Sequence, residues 1–200
     1  MIKTIIFDIG GVLIHFDHKK ICRKLERYSE YSKEEIYKMI FKSNLIEKYD
    51  TGKISNPEFN REAHKIINST NRKIAIDWHD TYRKNLDVNK LVLKLKNNGY
   101  RLLILSNTDK LSFNFLKKKF REITKPFDGF ILSYKIRHRK PERKIFEEAI
   151  KLSRCNPDEI IFIDDKKENI EVANKLGING IHFQNIVRLK KDLIKLGVKI

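Results

Sequence analysis

The sequence predicts an α/β fold, a parallel sheet with helices on both faces. Three observations lead there. Five short runs rich in Ile, Leu and Phe read as buried strands: Thr4–Phe7, Leu102–Leu105, Gly129–Leu132, Ile160–Ile163 and Gly180–Phe183. Stretches of helical periodicity separate them, the alternation expected of parallel sheets. Four of the runs are followed by a polar cluster, and in a parallel sheet such strand ends lie side by side.

In chain order, Thr4–Phe7 opens the sheet. A long stretch without a strand pattern follows. In it Ser32-Lys33-Glu34-Glu35 reads as a capping box ahead of Ile36, Met39 and Ile40. Ser55-Asn56-Pro57-Glu58 reads as a second, ahead of Phe59, Ala63, Ile66 and Ile67. Residues 16–84 are therefore expected to form a helical insert between 1–15 and 85–200, above the carboxyl ends of the strands, where open α/β sheets place their ligands. Asp87 is expected to cap a helix with Leu91, Val92 and Leu95 on one face, stopped by Gly99. Pro141 is expected at the start of another, with Ile145, Phe146, Ala149 and Ile150 inward, and Ile170, Ala173 and Leu176 mark a third that closes at Gly177.

The composition sets limits. Two hundred residues at 40% apolar and 34% charged suit one globular unit carrying a small insert, and exclude collagen-like, disordered and disulfide-scaffold classes. Cys22 and Cys155 suggest no disulfide framework. No apolar stretch approaches the ~20 residues of a membrane span. Asp8 interrupts the apolar start and no cleavage site follows, so a cytoplasmic protein without a membrane partner is expected. The net charge of +17 permits a nucleic-acid partner. That reading is not favoured, because the basic residues are scattered, densest at Lys117–Lys119 and Arg137–Lys140, with no interleaved aromatics. The histidines lack transition-metal spacing; His64 and His79 are expected on the surface or in the insert, and Trp78 and Tyr82 in its packing.

The four clusters carry the chemistry. They are Asp8-Ile9-Gly10-Gly11, Ser106-Asn107-Thr108, Arg139-Lys140-Pro141-Glu142 and Asp164-Asp165. Gathered in one crevice they supply three carboxylates, a lysine, a hydroxyl and glycine backbone. Clustered carboxylates repel unless a cation joins them, and a few hard oxygen donors suit Mg²⁺. Lysine and serine beside that cation offer fixed donors to a phosphoryl group. A carboxylate at a glycine-flanked strand end can act as a nucleophile. Gly10 and Gly11 let backbone N–H groups approach the same oxygens.

These motifs, F-D-I-G-G-V-L, L-S-N-T, R-K-P-E-x-x-I-F and F-I-D-D-x-x-x-N-I, resemble those of the haloacid dehalogenase superfamily of phosphatases over nearly the whole chain. They are close in form to the branch holding bacterial α-D-glucose-1-phosphate phosphatases and the N-terminal domain of soluble epoxide hydrolases. The resemblance implies a Rossmann-like core of strand order 5-4-1-2-3 with a helical cap after the first strand. It implies that Asp8 attacks phosphorus, that Ser106, Asn107, Lys140 and Gly11 hold phosphate, and that Asp8, the Gly10 carbonyl, Asp164 and Asp165 hold Mg²⁺. The expected activity is hydrolysis of a small phosphorylated metabolite, a sugar phosphate, through an aspartyl-phosphate. Most phosphatases of the superfamily have an acid at the position of Gly10, although those of the resembling branch also carry glycine there; His15 and Asp17, just beyond, read first as ordinary residues at the hinge of the insert and second as substitutes. The loop Tyr49–Lys53 is placed to overhang the site and select substrate. With the chain ending at Ile200, no α/β-hydrolase domain is expected. Two alternatives stand beside the phosphatase: a catalytically impaired binding or regulatory protein of the same fold, and a nucleotidase or basic nucleic-acid-associated protein. The acidic pair and the branch-like motifs argue against dehalogenation.

Overall fold

The computed structural model describes all 200 residues. Strand β1 (Thr4–Phe7) leads through a glycine turn to the two-residue β2 (Ile14–His15). Four helices follow: α1 (His18–Leu25), α2 (Lys33–Phe41), α3 (Asn44–Asp50) and α4 (Asn56–Ile66). The chain returns through β3 (Arg83–Lys84), which pairs antiparallel with β2. Then come α5 (Leu86–Asn97), β4 (Arg101–Ser106), α6 (Lys110–Lys119), α7 (Arg121–Thr124), β5 (Gly129–Leu132), α8 (Ser133–Ile136) and α9 (Arg143–Ser153). The chain closes with β6 (Ile160–Asp164), α10 (Lys167–Lys175), β7 (Asn179–His182) and α11 (Ile186–Lys195). No helix is long and apolar enough to cross a membrane.

The sheet runs β5-β4-β1-β6-β7, parallel throughout. Counted among its own five strands, this is 5-4-1-2-3. Its side chains alternate between two faces. Ile5, Phe7, Leu102, Ile104, Ile161 and Ile163 meet α5, α6 and α11 through Leu91, Leu116 and Leu189. Ile6, Leu103, Leu105 and Phe162 meet α9 and α10 through Phe146 and Ala173. The three inner strands, β4, β1 and β6, carry near-continuous apolar runs because both faces are covered.

Register determines what comes next. Phe7 lies opposite Ile104 on one side and Ile163 on the other. One residue further, Asp8 is therefore level with Leu105 and Asp164.

Both capping boxes form, Ser32 with Glu35 and Ser55 with Glu58. Two helix starts differ from expectation. Asn85, not Asp87, caps α5, its side chain accepting the Val88 N–H. Pro141 precedes α9 by two residues, in a tight loop whose Lys140–Pro141 peptide is cis. His64 and His79 lie among the inserted residues, as one of the two expectations has it, and are buried there, at 1% and 6% exposure. Trp78 and Tyr82 are buried as expected, although both also border a cavity beside the carboxyl ends of the strands.

Candidate active site

The centre of the site follows from that register. Lys140, 2% exposed, enters from the loop before α9 and reaches across three adjacent strand ends. Its Nζ donates to Asp8 Oδ1 at 2.8 Å, Asp164 Oδ2 at 2.6 Å and the Leu105 carbonyl at 3.0 Å. All three ammonium protons are thus placed. Burial opposes the lysine's charge, but the two carboxylates outweigh it and hold its pKa above the ordinary lysine value. Asp8 is 7% exposed, and its Oδ1 also accepts the Ile9 N–H at 2.7 Å. Oδ2 has no protein donor. Burial pushes the Asp8 carboxyl up to about 7 against the pull of Lys140.

The acidic pair splits into two roles. Burial works to raise the fully enclosed Asp164, but Lys140, Asn169 and the Lys166 N–H overcome it and hold the carboxyl below its usual range. Its Oδ1 accepts from Lys166 N at 2.8 Å and Asn169 Nδ2 at 2.9 Å, so both oxygens are engaged by the protein. Asp165 is exposed, and partial burial and the Asp164 charge raise its pKa. Ligand oxygens of Asp8, Asp164 and Asp165 lie within 4.8 Å of one another. Three hard donors, two of them with raised pKa values, fit a small divalent cation.

Gly11 is needed here for the side chain it lacks. Its φ is +75°, and a Cβ there would lie 2.4 Å from Asp165 Oδ2. The expectation that Gly11 offers its N–H to phosphate is corrected, because that N–H donates to the Ile14 carbonyl at 2.8 Å and closes the turn into β2.

Ser106 ends β4, 3% exposed, and its hydroxyl has only a long 3.5 Å contact to the Asn107 carbonyl. The Asn107 side chain fastens this loop to the lysine loop, donating to the Lys140 carbonyl at 2.9 Å and accepting the Lys140 N–H at 2.7 Å. The Thr108 N–H donates to Ser133 Oγ at 2.9 Å, and Ser133 is bonded to the Asp50 carbonyl at 2.6 Å. The end of α3 is thereby tied to the loop after β4.

A cavity of about 400 Å³ opens between these strand ends and the inserted helices. Asp8, Ser106, Lys140 and Asp165 border its floor. Phe41, Trp78 and Tyr82, with His18, border an aromatic side, and Asp50 and Arg139 a charged one. The His18 ring stacks on Phe41 at 4.2 Å and meets Trp78 edge-on at 4.9 Å. Arg139 pairs with Glu47 at 3.3 Å and Asp50 at 3.7 Å. The return segment is pinned from behind, since His79 bridges Asp77 and Ser112 Oγ, and Ser112 donates to Asp109.

A family model described as haloacid dehalogenase-like hydrolase matches residues 2–177. The chain belongs to the haloacid dehalogenase-like hydrolases. This hydrolase is 27% identical to a D-ribitol-5-phosphate phosphatase of Bacteroides thetaiotaomicron, over 96% of the chain and 97% of the relative. It is 27% identical to a sesquiterpene phosphatase of Aspergillus oryzae, over 97% and 96%. Among solved structures it resembles a family enzyme of B. thetaiotaomicron in complex with magnesium and inorganic phosphate. There the TM-score is 0.74 at 25% identity, covering 92% of this chain and 95% of that one.

All eight expected site residues border the one crevice except Asp164, which lies beneath it, held to Lys140. No local pattern marks a role for Arg139 or Asp109, and Asp50, expected in a loop, stands at the last turn of α3. Asn169 was findable, five residues after Asp164 and on the first turn of α10. Asp17 caps α1 and pairs with Arg23, away from the cavity.

Proposed function

We propose that this hydrolase is a Mg²⁺-dependent phosphatase of a small phosphorylated metabolite, a sugar or polyol phosphate, acting through an aspartyl-phosphate. One observation carries the reading: a buried carboxylate, Asp8, stands at the end of the central strand with a lysine on one oxygen and two further carboxylates beside it. The similarity to a ribitol-5-phosphate phosphatase supports the substrate class. We further propose that residues 16–84 act as a cap over a core of 1–15 and 85–200, joined at the β2–β3 pair. A covered cavity of about 400 Å³ suits a small ester and excludes water during the reaction.

In this mechanism Asp8 Oδ2, the oxygen without a protein donor, attacks phosphorus in line. Lys140 steadies Asp8 and neutralises the transferring group. Ser106 Oγ and the Asn107 N–H hold phosphoryl oxygens. Asp8, Asp165 and the Gly10 carbonyl would hold the cation, with Asp164 orienting Lys140 and the loop after β6. When bound, the cation offsets carboxylate repulsion and draws charge from the phosphoryl oxygens. Water then hydrolyses the acyl-phosphate.

The test is phosphate release from sugar phosphates, nucleotides and p-nitrophenyl phosphate, with Mg²⁺, with EDTA and with Asp8→Asn. Release that needs Mg²⁺ and disappears in Asp8→Asn is expected, with a polyol or sugar phosphate preferred. Equal background in wild type and variant across the panel overturns the reading.

A further inference from the structure

An in-line displacement sends the leaving oxygen away from the attacking one, and its proton comes from an acid that can reach it there. Position 10 does not supply it. A Cβ at Gly10 would lie 2.5 Å from Phe16 Cε1, so the Phe16 ring fills the space where an acid would begin. Several of the other titratable groups bordering the cavity are already committed. Asp8 and Asp165 belong to the floor. Asp109 is a helix cap that accepts the Leu111 and Ser112 N–H groups and the Ser112 hydroxyl. His18 is enclosed by aromatic rings, and burial lowers it to about 3, so it is uncharged at neutral pH. Burial pushes the Tyr82 hydroxyl far above its usual value.

Asp50 differs from all of these. It ends α3, its side chain is 14% exposed, and it borders the cavity from the cap. Its main chain is fixed to the core by the 2.6 Å bond from Ser133. Gly52 lies so close to the core that a Cβ there would sit 2.8 Å from the Tyr134 carbonyl. The carboxylate is held only loosely, 3.7 Å from an Arg139 guanidinium that it shares with Glu47. Burial raises the carboxyl to about 7, with Asp109 and Glu47 adding to the shift and Arg139 and Lys166 opposing it. Both protonation states are therefore accessible near neutrality, the condition for acid–base work.

We propose that Asp50 is a further catalytic residue: the acid that protonates the leaving oxygen and the base that then activates water. This rests on the phosphatase reading. In the first step the Asp8–phosphorus bond forms as the ester P–O bond breaks. The departing oxygen keeps the electron pair and takes the Asp50 proton. In the second, water gives a proton to the Asp50 carboxylate while its oxygen bonds to phosphorus. The Asp8–phosphorus bond breaks, its electron pair returns to Asp8, and Asp50 is again protonated.

The experiment compares p-nitrophenyl phosphate, whose leaving group departs without a proton, with a primary-alkyl phosphate, in rapid-mixing and steady-state assays with Mg²⁺. In Asp50→Asn we expect a burst of p-nitrophenol equal to the enzyme present, followed by slowed turnover. On the alkyl phosphate the first step itself falls by about 10²–10⁴-fold. Asp50→Glu keeps the carboxyl and is expected to retain alkyl phosphate turnover within about tenfold of wild type. His15→Ala, which removes the other ionisable side chain near β1 that borders the cavity, tests the rival assignment. Equal slowing of burst and turnover on both esters in Asp50→Asn reduces Asp50 to a latch on Arg139 and overturns the proposal. So does an Asp50→Glu variant no better than Asp50→Asn, or transfer of the leaving-group pattern to His15→Ala. Wild type inactive on every ester overturns the phosphatase reading itself, an outcome distinct from these.

Discussion

Replacing Lys140 by Met keeps most of the side chain's volume and removes the one cation that sits between Asp8 and Asp164. Its three contacts, at 2.6 to 3.0 Å, are all buried, and no solvent replaces them. Deleting one partner of a buried ion pair costs about 3–5 kcal/mol, since the remaining charge stays enclosed. For a chain of this length that is a loss of about 6–20 °C in Tm. The loss depends on pH in a definite direction. Wild-type Asp8 is already raised from 3.8 to about 7, so the folded state holds a proton that the unfolded state has released. That contribution to stability is complete below about 4 and is lost as pH rises through 7. Without the lysine both carboxyls are raised. Each one that folding keeps protonated then weakens the fold by about 1.4 kcal/mol per pH unit. The deficit of Lys140→Met is therefore small at pH 5 and large at pH 8. Thermal unfolding of both proteins in EDTA at the two pH values measures it. A deficit that is the same at pH 5 and pH 8 refutes the reasoning, as does a Tm unchanged at pH 8.

The raised Asp8 and Asp165 carboxyls set protons against the cation, so the Tm increase on adding Mg²⁺ to wild type should be larger at pH 8 than at pH 5; equal increases contradict it. Gly11→Ala combines a positive φ, costing about 1–2 kcal/mol, with a collision against Asp165, and should weaken Mg²⁺ binding by about tenfold or more. Gly99→Ala has a φ of +85° with nothing within 4 Å, so it should lose similar stability and leave Mg²⁺ binding intact when both are titrated calorimetrically.

The sheet was legible because its strands are covered on both faces, which leaves continuous apolar runs that stand out from amphipathic helices. All five expected strand spans agree to within one residue at each end, Gly180–Phe183 being displaced as a whole by one. The strands β2 and β3 were invisible because two residues carry no periodicity; their pairing comes from where the chain must cross. Asn85 displaced Asp87 as a cap because local propensity cannot choose between two good capping residues two positions apart. In the site, Asp8, Lys140 and Asp164 were legible from strand-end motifs. The engagement of the Gly11 N–H with Ile14 was not, since a glycine pair announces freedom without saying how it is used. Asp50 and Arg139 meet across 89 residues of chain, and no local pattern joins them.

The pairing of β2 with β3 has a consequence for how such a protein diversifies. Ile14 sits opposite Lys84, so the intervening helices depart and return within one strand spacing, about 5 Å. A segment whose ends already touch can lengthen, shrink or be exchanged without shifting β1 against β4, and so without moving Asp8 from Asp164. The constraint on any replacement lies on its underside, because Ile36, Phe59 and Trp78 share one apolar cluster with the β1 residues Ile5 and Phe7. On the proposed function, descent can therefore alter which molecules are admitted by rebuilding the attachment, provided that it presents a greasy base, while the groups at the strand ends keep their places.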